Sequence, residues 1–411
     1  MRTRTRHPLL LAAATVLALQ ILPVSSGVAE TAAEAKPASV TSKLQSAGAL
    51  SFGPNNVLFV GDSKAGVVHA FDLGEGGVTS QAEVPLGNSA SFEGRDLVSD
   101  IGTKTARLLG VDVDDIRIND MAVHKPSKQV FLSVHRGHGP NTVPVIVKVN
   151  KGQLEIVRLK DVKHSSISVG PVPVNEQLEF GQPQNLLAIT DIDYWEGEIF
   201  VSGVSNEEFT SKLRRMAYPF ETKVSTTSIE IWHAVHAQFE TRAPIVAKEI
   251  RKIHGTPTLI AVYACTPLVR IPLDQLQDGV QVRGEMIGEL GFGNTPIDII
   301  SYKNAMDGKD YVLVTNTNRS AVQVGLVDIG GAQAMPVNVP NNFGPAGVTQ
   351  FPIPLAGALH LDLLDGQWAV VIRPNHEDHA RLDLHTVPVP FFFDRADHIV
   401  EMNWPGYKKP S

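Results

Sequence analysis

The stretch 117–149, RINDMAVHKPSKQVFLSVHRGHGPNTVPVIVKV, constrains the fold more than any other part of the chain. It opens with a short apolar run, 118–123, that breaks at Lys125-Pro126-Ser127-Lys128. Val130-Phe131-Leu132-Ser133-Val134 follows, and its shortness and its β-branched and aromatic residues are those of a strand. A polar turn at 135–141 leads to an alternating run at 143–149, and 154–159 supplies a fourth run after Asn150-Lys151-Gly152. Four short antiparallel strands punctuated by turns predict one blade of a β-propeller.

The pattern recurs along the chain. Runs at 49–53, 57–61 and 66–72 make one group; 187–194, 198–204, 212–220 and 228–232 make another, with a tight corner at Glu196-Gly197. Further groups are 246–253, 258–263 and 268–273; 297–302, 311–315 and 321–327; and 358–363, 368–372 and 382–387. The expectation is an all-β fold, a single β-propeller of six or seven four-stranded blades over residues 46–400. A seventh blade would draw on 160–186, on 328–355, or on strands from the two ends of the chain. One segment departs from the repeat: Leu97, Ile101, Leu108 and Leu109 fall at helical spacing, which predicts one inserted helix near 95–110.

The chain begins with a targeting pattern. Arg2, Arg4 and Arg6 precede an apolar stretch at 9–22, and Gly27-Val28-Ala29 offers a small-residue cleavage site. Residues 1–29 therefore read as a signal peptide, since the apolar core is short for a membrane span. Residues 30–45 read as a flexible linker and 401–411 as a C-terminal tail. The expected location is periplasmic or secreted, with no membrane span in the mature chain. The net charge of −7 becomes three units more negative when the leader is removed, which leaves no electrostatic case for nucleic acid. Cys265 is the only cysteine, so no intrachain disulfide is possible and stability must come from the core.

Segments such as INDMAVHKPSKQVFLSV and TDIDYWEGEIFVSGV resemble the inner strand pairs of YVTN/NHL-type β-propellers. That superfamily includes the quinoprotein amine dehydrogenase heavy chains. The resemblance implies the architecture and carries over no catalytic motif: there is no CxxCH haem site, and one cysteine cannot build the cysteine-rich subunits of those enzymes.

The propeller pattern nonetheless points to a site. In an up-and-down blade, the turn after the second strand and the link to the next blade lie at one end. Turns at 62–64, 135–141, 205–212, 265–266, 316–320 and 373–381 therefore share a face with the links 117–120, 233–242 and 294–298. Three histidine pairs fall there at the same spacing: His135/His138, His233/His236 and His376/His379. With 14 histidines in 411 residues, chance gives roughly 0.4 such pairs. Neutral imidazoles ligate zinc, copper or iron, and Cys265, Glu240, Glu377 and Asp378 are available as further ligands or as acceptors that orient them. Against this, a pair without a third ligand is ordinarily a solvated turn, and a lone cysteine after an apolar strand is ordinarily an inert thiol.

Asn119, Asp120, Asn294 and Asp298 stand at blade entrances and resemble the calcium positions of lactonase-type propellers. The same residue types also cap inner strands and tie neighbouring blades. The turn Asn206-Glu207-Glu208 near Arg214-Arg215 reads as a solvated, salt-bridged loop. No GxSxG elbow, Walker loop or GxGxxG stands in its required context, and no serine is nominated as a nucleophile. Two classes of function remain. One is a module whose polar, histidine-rich turn face binds a small molecule or a periplasmic protein. The other is an enzyme with a metal at the axis: a transition metal for redox chemistry, or calcium for ester or lactone hydrolysis.

Overall fold

Strand follows strand because the corners allow little else. The computed structural model describes residues 44–78, 94–139, 142–173, 178–179, 182–335, 344–375 and 378–390. In it, Lys151-Gly152, Glu196-Gly197 and His254-Gly255 take positive φ at both positions. The flanking residues face each other as Asn150/Gln153, Trp195/Glu198 and Ile253/Thr256. This two-residue corner matches the right-handed twist of the strands on either side and so fixes their register.

One four-stranded sheet is β1 (Leu50–Phe52), β2 (Val57–Asp62), β3 (Val67–Asp72) and, outermost, β9 (Lys163–Ser168). A second is β5 (Ile116–His124), β6 (Gln129–Arg136), β7 (Val143–Asn150) and β8 (Gln153–Ile156). A third is β21 (Pro296–Lys303), β22 (Asp310–Asn316), β23 (Val322–Gly325) and β25 (Phe351–Pro352). A fourth is β26 (His360–Leu363), β27 (Trp368–Pro374), β28 (Leu382–Pro388) and, from far upstream, β4 (Asp96–Val98).

The remaining large sheet has ten strands. Its first half is β12 (Asp191–Trp195), β13 (Glu198–Val204), β14 (Ser211–Ala217) and β15 (Ser225–His233). Its second half is β17 (Ile245–Ile253), β18 (Thr256–Tyr263), β19 (Pro267–Pro272) and β20 (Gln281–Glu289). The halves meet through a parallel pairing of β15 with β20, and short β16 (Gln238–Glu240) and β24 (Ala346–Gly347) add to β15 and β20. A small hairpin, β10 (Leu178–Glu179) and β11 (Gln182–Pro183), stands apart.

The first strands touch one another in a circuit: β1, β12, β17, β21, β26, β5 and back to β1. This is a propeller-like, all-β arrangement. The apolar residues bury themselves between adjacent sheets rather than in one central core. Leu58, Val60, Phe131 and Ile146 pack between the first two sheets, and Ile229, Ile231, Leu259 and Ile271 pack between the halves of the ten-stranded sheet. Each interface is a slab of Val, Ile and Leu of the kind a two-sided strand must have.

The inserted helix is shorter than expected. α1 (Gly74–Gly77) and α3 (Leu326–Gly331) are short, and α2 covers Ile101–Leu109. Residues 96–98 are strand β4 instead, because the open edge of β28 takes them into its ladder. Asp100 then starts α2 by accepting the N–H of Thr103 at 3.3 Å, and Gly110 ends it at φ 68. Likewise the run expected as strand over 321–327 stops at Gly325, and α3 begins. Among the described residues no helix is long and apolar enough to cross a membrane. The leader 1–29, the linker up to residue 43 and the tail 401–411 lie outside the described residues.

Candidate functional site: an axial cavity and a histidine-cysteine cluster

The first strands are tied to each other by carboxylates. Asp120 accepts the N–H of Leu50 at 2.7 Å, Asp191 that of Lys248 at 2.8 Å, and Asp298 that of Leu361 at 2.8 Å. Asp362 accepts the N–H of Val123 at 2.7 Å, and Glu249 that of Ser301 at 3.2 Å. Each aspartate also uses its second oxygen on the N–H of its own next residue. Among the described residues no carboxylate ties β1 to β12. There the Ser63 hydroxyl donates to the Ile189 carbonyl at 3.0 Å and accepts the Ile189 N–H at 3.2 Å. Between them these side chains satisfy inner-edge N–H groups that no ladder reaches.

Above the ties lies a cavity of about 440 Å³. Arg117 and Asn119 on β5, Asp298 on β21 and His360 on β26 line it together with His135 near the end of β6 and Ser63 in the turn after β2; the expected link 117–120 and the first residues of the expected turn 135–141 are strand. His135 accepts the N–H of Ala47 on Nε2 at 3.1 Å, which requires that nitrogen to be unprotonated. Burial, then the charges of Lys64 and Arg117, bring its pKa down to about 4. Burial and Arg117 do the same for His360, also to about 4. Both rings are therefore neutral at physiological pH. Burial pushes Asp120 up to about 8, and the nearby Asp191 and Asp362 add to the rise. Burial raises Asp298 as well, and the nearby Asp120 and Asp191 add to the rise. Arg117, opposite His135 in the β5/β6 ladder, faces this cavity with no hydrogen-bond or ion-pair partner among the described residues.

A second cluster stands where the halves of the ten-stranded sheet meet. His233 closes β15, His236 lies in the turn to β16, and Glu240 closes β16 and reaches back. One Glu240 oxygen is 2.5 Å from His236 Nδ1 and the other 3.1 Å from His233 Nδ1. Cys265, at φ 82 in the β18–β19 turn, brings its sulfur to the two rings, with ligand atoms of all three residues within 4.8 Å of one another. Thr266 Oγ1 lies 3.4 Å from His233 Nε2 and also meets Glu289, which is buried with Oε2 unpartnered. Burial pulls His233 down, but Cys265 and Glu240 beside it raise it to about 9. Burial raises Glu240, and the two imidazoles more than offset this, taking it to about 2.

The three histidine pairs do not converge. His135 lines the axial cavity, while the side chain of His138 is 72% exposed beside Asp115. His233 and His236 are together, with ring centroids 4.0 Å apart, but off the axial cavity. His379 and Asp378 are exposed, and His376 and Glu377 lie outside the described residues. The Asn119 amide donates to the Ala47 carbonyl at 2.8 Å, and Asn294 donates to Asn316 at 2.7 Å. Asp120, Asp298 and His360 gather at the axis, where the carboxylate oxygens already accept backbone N–H groups. Glu207 pairs with Lys212 at 2.5 Å, whereas Arg214 is buried and donates to backbone carbonyls.

Sequence reasoning passed over Arg117 and His360 as site residues, as well as the buried Lys248. Lys248 Nζ lies 3.1 Å from Asp191 and 3.4 Å from Asp193. The tie between neighbouring blades was expected at Asp120 and Asp298, and the signal that extends it to Asp191 and Asp362 is an aspartate followed by an apolar residue in Asp120-Met121, Asp191-Ile192, Asp298-Ile299 and Asp362-Leu363.

No family model matches the chain, and no curated protein matches it. Solved structures overlap it loosely, and three of them illustrate the range. Drosophila Semaphorin 1b, extracellular domains 1-2, is 9% identical at a TM-score of 0.36, covering 83% of this chain and 84% of that one. A protein of unknown function from Dyadobacter fermentans is 9% identical at a TM-score of 0.35, covering 67% and 98%. An endo-arabinanase of the GH43 group from Bacillus licheniformis is 16% identical at a TM-score of 0.33, covering 67% and 94%.

Proposed function

We propose that this chain is an exported, six-bladed propeller that binds a small organic anion in its axial cavity. The count of six takes the ten-stranded sheet as two blades joined at β15 and β20 and follows the circuit of first strands. A YVTN/NHL-type lineage fits the same repeat, and the leader pattern supports export to the periplasm or beyond. The observation that carries the reading is Arg117: an unpaired guanidinium in a concave site asks for a carboxylate or phosphate, which it can grip with two N–H groups. Neutral His135 and His360 supply further polar contacts without adding charge, and raised carboxyl pKa values soften the repulsion an anion would meet.

Succinate, citrate and inorganic phosphate serve as probes in calorimetric titrations. At least one should bind the wild type, and Arg117→Ala should weaken it roughly 10–100-fold, the cost of one charged hydrogen-bond pair. Equal affinity in both proteins would remove the reading. Calcium-assisted hydrolysis would call on Asp120 and Asp298, whose oxygens already hold neighbouring strands together. Transition-metal chemistry belongs to the cluster away from the axis.

A further inference from the structure

We propose that His233, His236 and Cys265 bind one thiophilic divalent cation, of which zinc(II) is the type, and that this ion clasps the two halves of the ten-stranded sheet. The proposal stands independently of the axial cavity. Two imidazoles and a thiolate are the donor set of borderline-soft metals and not of calcium or magnesium. Three such groups with ligand atoms within 4.8 Å need only side-chain adjustment to close on an ion.

A second observation points the same way. The His233 side chain is fully buried, and its Nδ1 faces Glu240 Oε2 at 3.1 Å, which leaves Nε2, 3.4 Å from Thr266 Oγ1, as the nitrogen to meet an ion. Glu240 spans the rings as the carboxylate does in carboxylate–histidine–metal groupings, orienting both and raising their basicity. His236 keeps the cluster in touch with water, its side chain being 42% exposed, so an exchangeable fourth ligand can reach the ion.

The placement gives the ion a mechanical role. His233 and His236 belong to the strand and turn that end the first half of the sheet, and Cys265 to a turn of the second half. Those halves are also held by a parallel register of four pairs, Ser228/Gln281 to Ile231/Gly284, and by Asp191 accepting the Lys248 N–H. Binding would release the thiol proton and any proton on the imidazoles, so affinity should fall as pH is lowered.

The test uses the full chain carrying a tag without histidines, stripped with chelator and titrated with cobalt(II) as a spectroscopic stand-in for zinc. The expected result is one equivalent bound, with a thiolate-to-cobalt charge-transfer band and the strong visible bands of a four-coordinate ion, all bleached by zinc. Cys265→Ser should abolish the charge-transfer band, and Glu240→Gln should weaken binding roughly 10–100-fold. His138→Ala, at an exposed position, should change neither. On the wild type alone, zinc should protect Cys265 from iodoacetamide, which keeps the test valid should a histidine variant fail to fold. Absence of the charge-transfer band, its survival in Cys265→Ser, or alkylation at the same rate with and without zinc would each overturn the proposal. The last outcome would leave Cys265 as a free thiol beside His233.

Discussion

Asp298 on β21 holds Leu361 on β26 by accepting its backbone N–H at 2.8 Å, while its second oxygen accepts the N–H of Ile299 at 2.8 Å. One carboxylate thus satisfies two N–H groups on two sheets. Asp298→Ala strands both, and a buried donor left without a partner costs about 1–3 kcal/mol. Burial raises the Asp298 carboxyl pKa, so full charge assistance is not counted. A net loss of about 2–4 kcal/mol in urea unfolding is expected. Asp298→Asn keeps one good acceptor and should lose less.

Lys248 sits with its side chain fully buried between Asp191 and Asp193. Lys248→Met would leave two carboxylates facing each other without a cation, a change that costs about 3–5 kcal/mol when it breaks a buried pair. Lys248→Met combined with Asp193→Leu, which keeps Asp191 on the N–H groups of Lys248 and Ile192, should restore part of the loss. If Lys248→Met unfolds at the wild-type midpoint, the lysine is not compensating those charges.

Stability should depend on pH from both sides, and single variants separate the causes. His360, lowered to about 4, stays neutral in the folded chain while its unfolded counterpart takes up a proton below about 6.5. Its contribution is therefore lost as pH falls from 6.5 towards 4, by at most about 3 kcal/mol. His360→Gln should flatten that limb. His233, raised to about 9 in the metal-free chain, acts in the opposite sense. Its contribution is complete below 6.5 and disappears as pH rises through 9, so His233→Gln should flatten the alkaline limb. Denaturation midpoints measured across pH 4–9 for the three proteins decide it.

Gly203 stands where β13 passes the backbone before β12. A Cβ there would lie 2.1 Å from the carbonyl oxygen of Ala188, well inside contact distance. Gly203→Ala should destabilise by about 1–3 kcal/mol through backbone displacement. An alanine variant with an unchanged thermal midpoint would show that this approach can relax freely.

The repeat was legible because it is local. Alternation, β-branched runs and X-Gly corners act over a few residues, so β5, β6 and β7 fall close to where the sequence puts them. β4 was not legible, because Asp96–Val98 has no strong preference of its own and becomes a strand only against β28, nearly three hundred residues downstream. The site divides in the same way. His233 and His236 lie three apart and announce themselves, whereas their meeting with Cys265 depends on the packing of two half-sheets. Arg117 was visible as a charged residue of that face, but that no ion-pair partner meets it among the described residues emerges only when the first strands gather around one space.

The placement of β4 has a consequence for how such a chain comes into being. Arg95 donates its backbone N–H to Thr386 at 2.8 Å, and Asp96 meets His385 at 2.6 Å, across sequence separations of 291 and 289 residues. Synthesis delivers β4 nearly three hundred residues before its partner. Until residue 388 is available, the outer strand of the fourth sheet waits with open N–H and C=O groups, and α2 lacks the β27–β28 surface that covers its apolar side. Closing so long a loop is entropically slow. The chain should therefore acquire this sheet in one late step, once β28 has been made. During that wait, the bare edge makes it a substrate for chaperones and for its own kind.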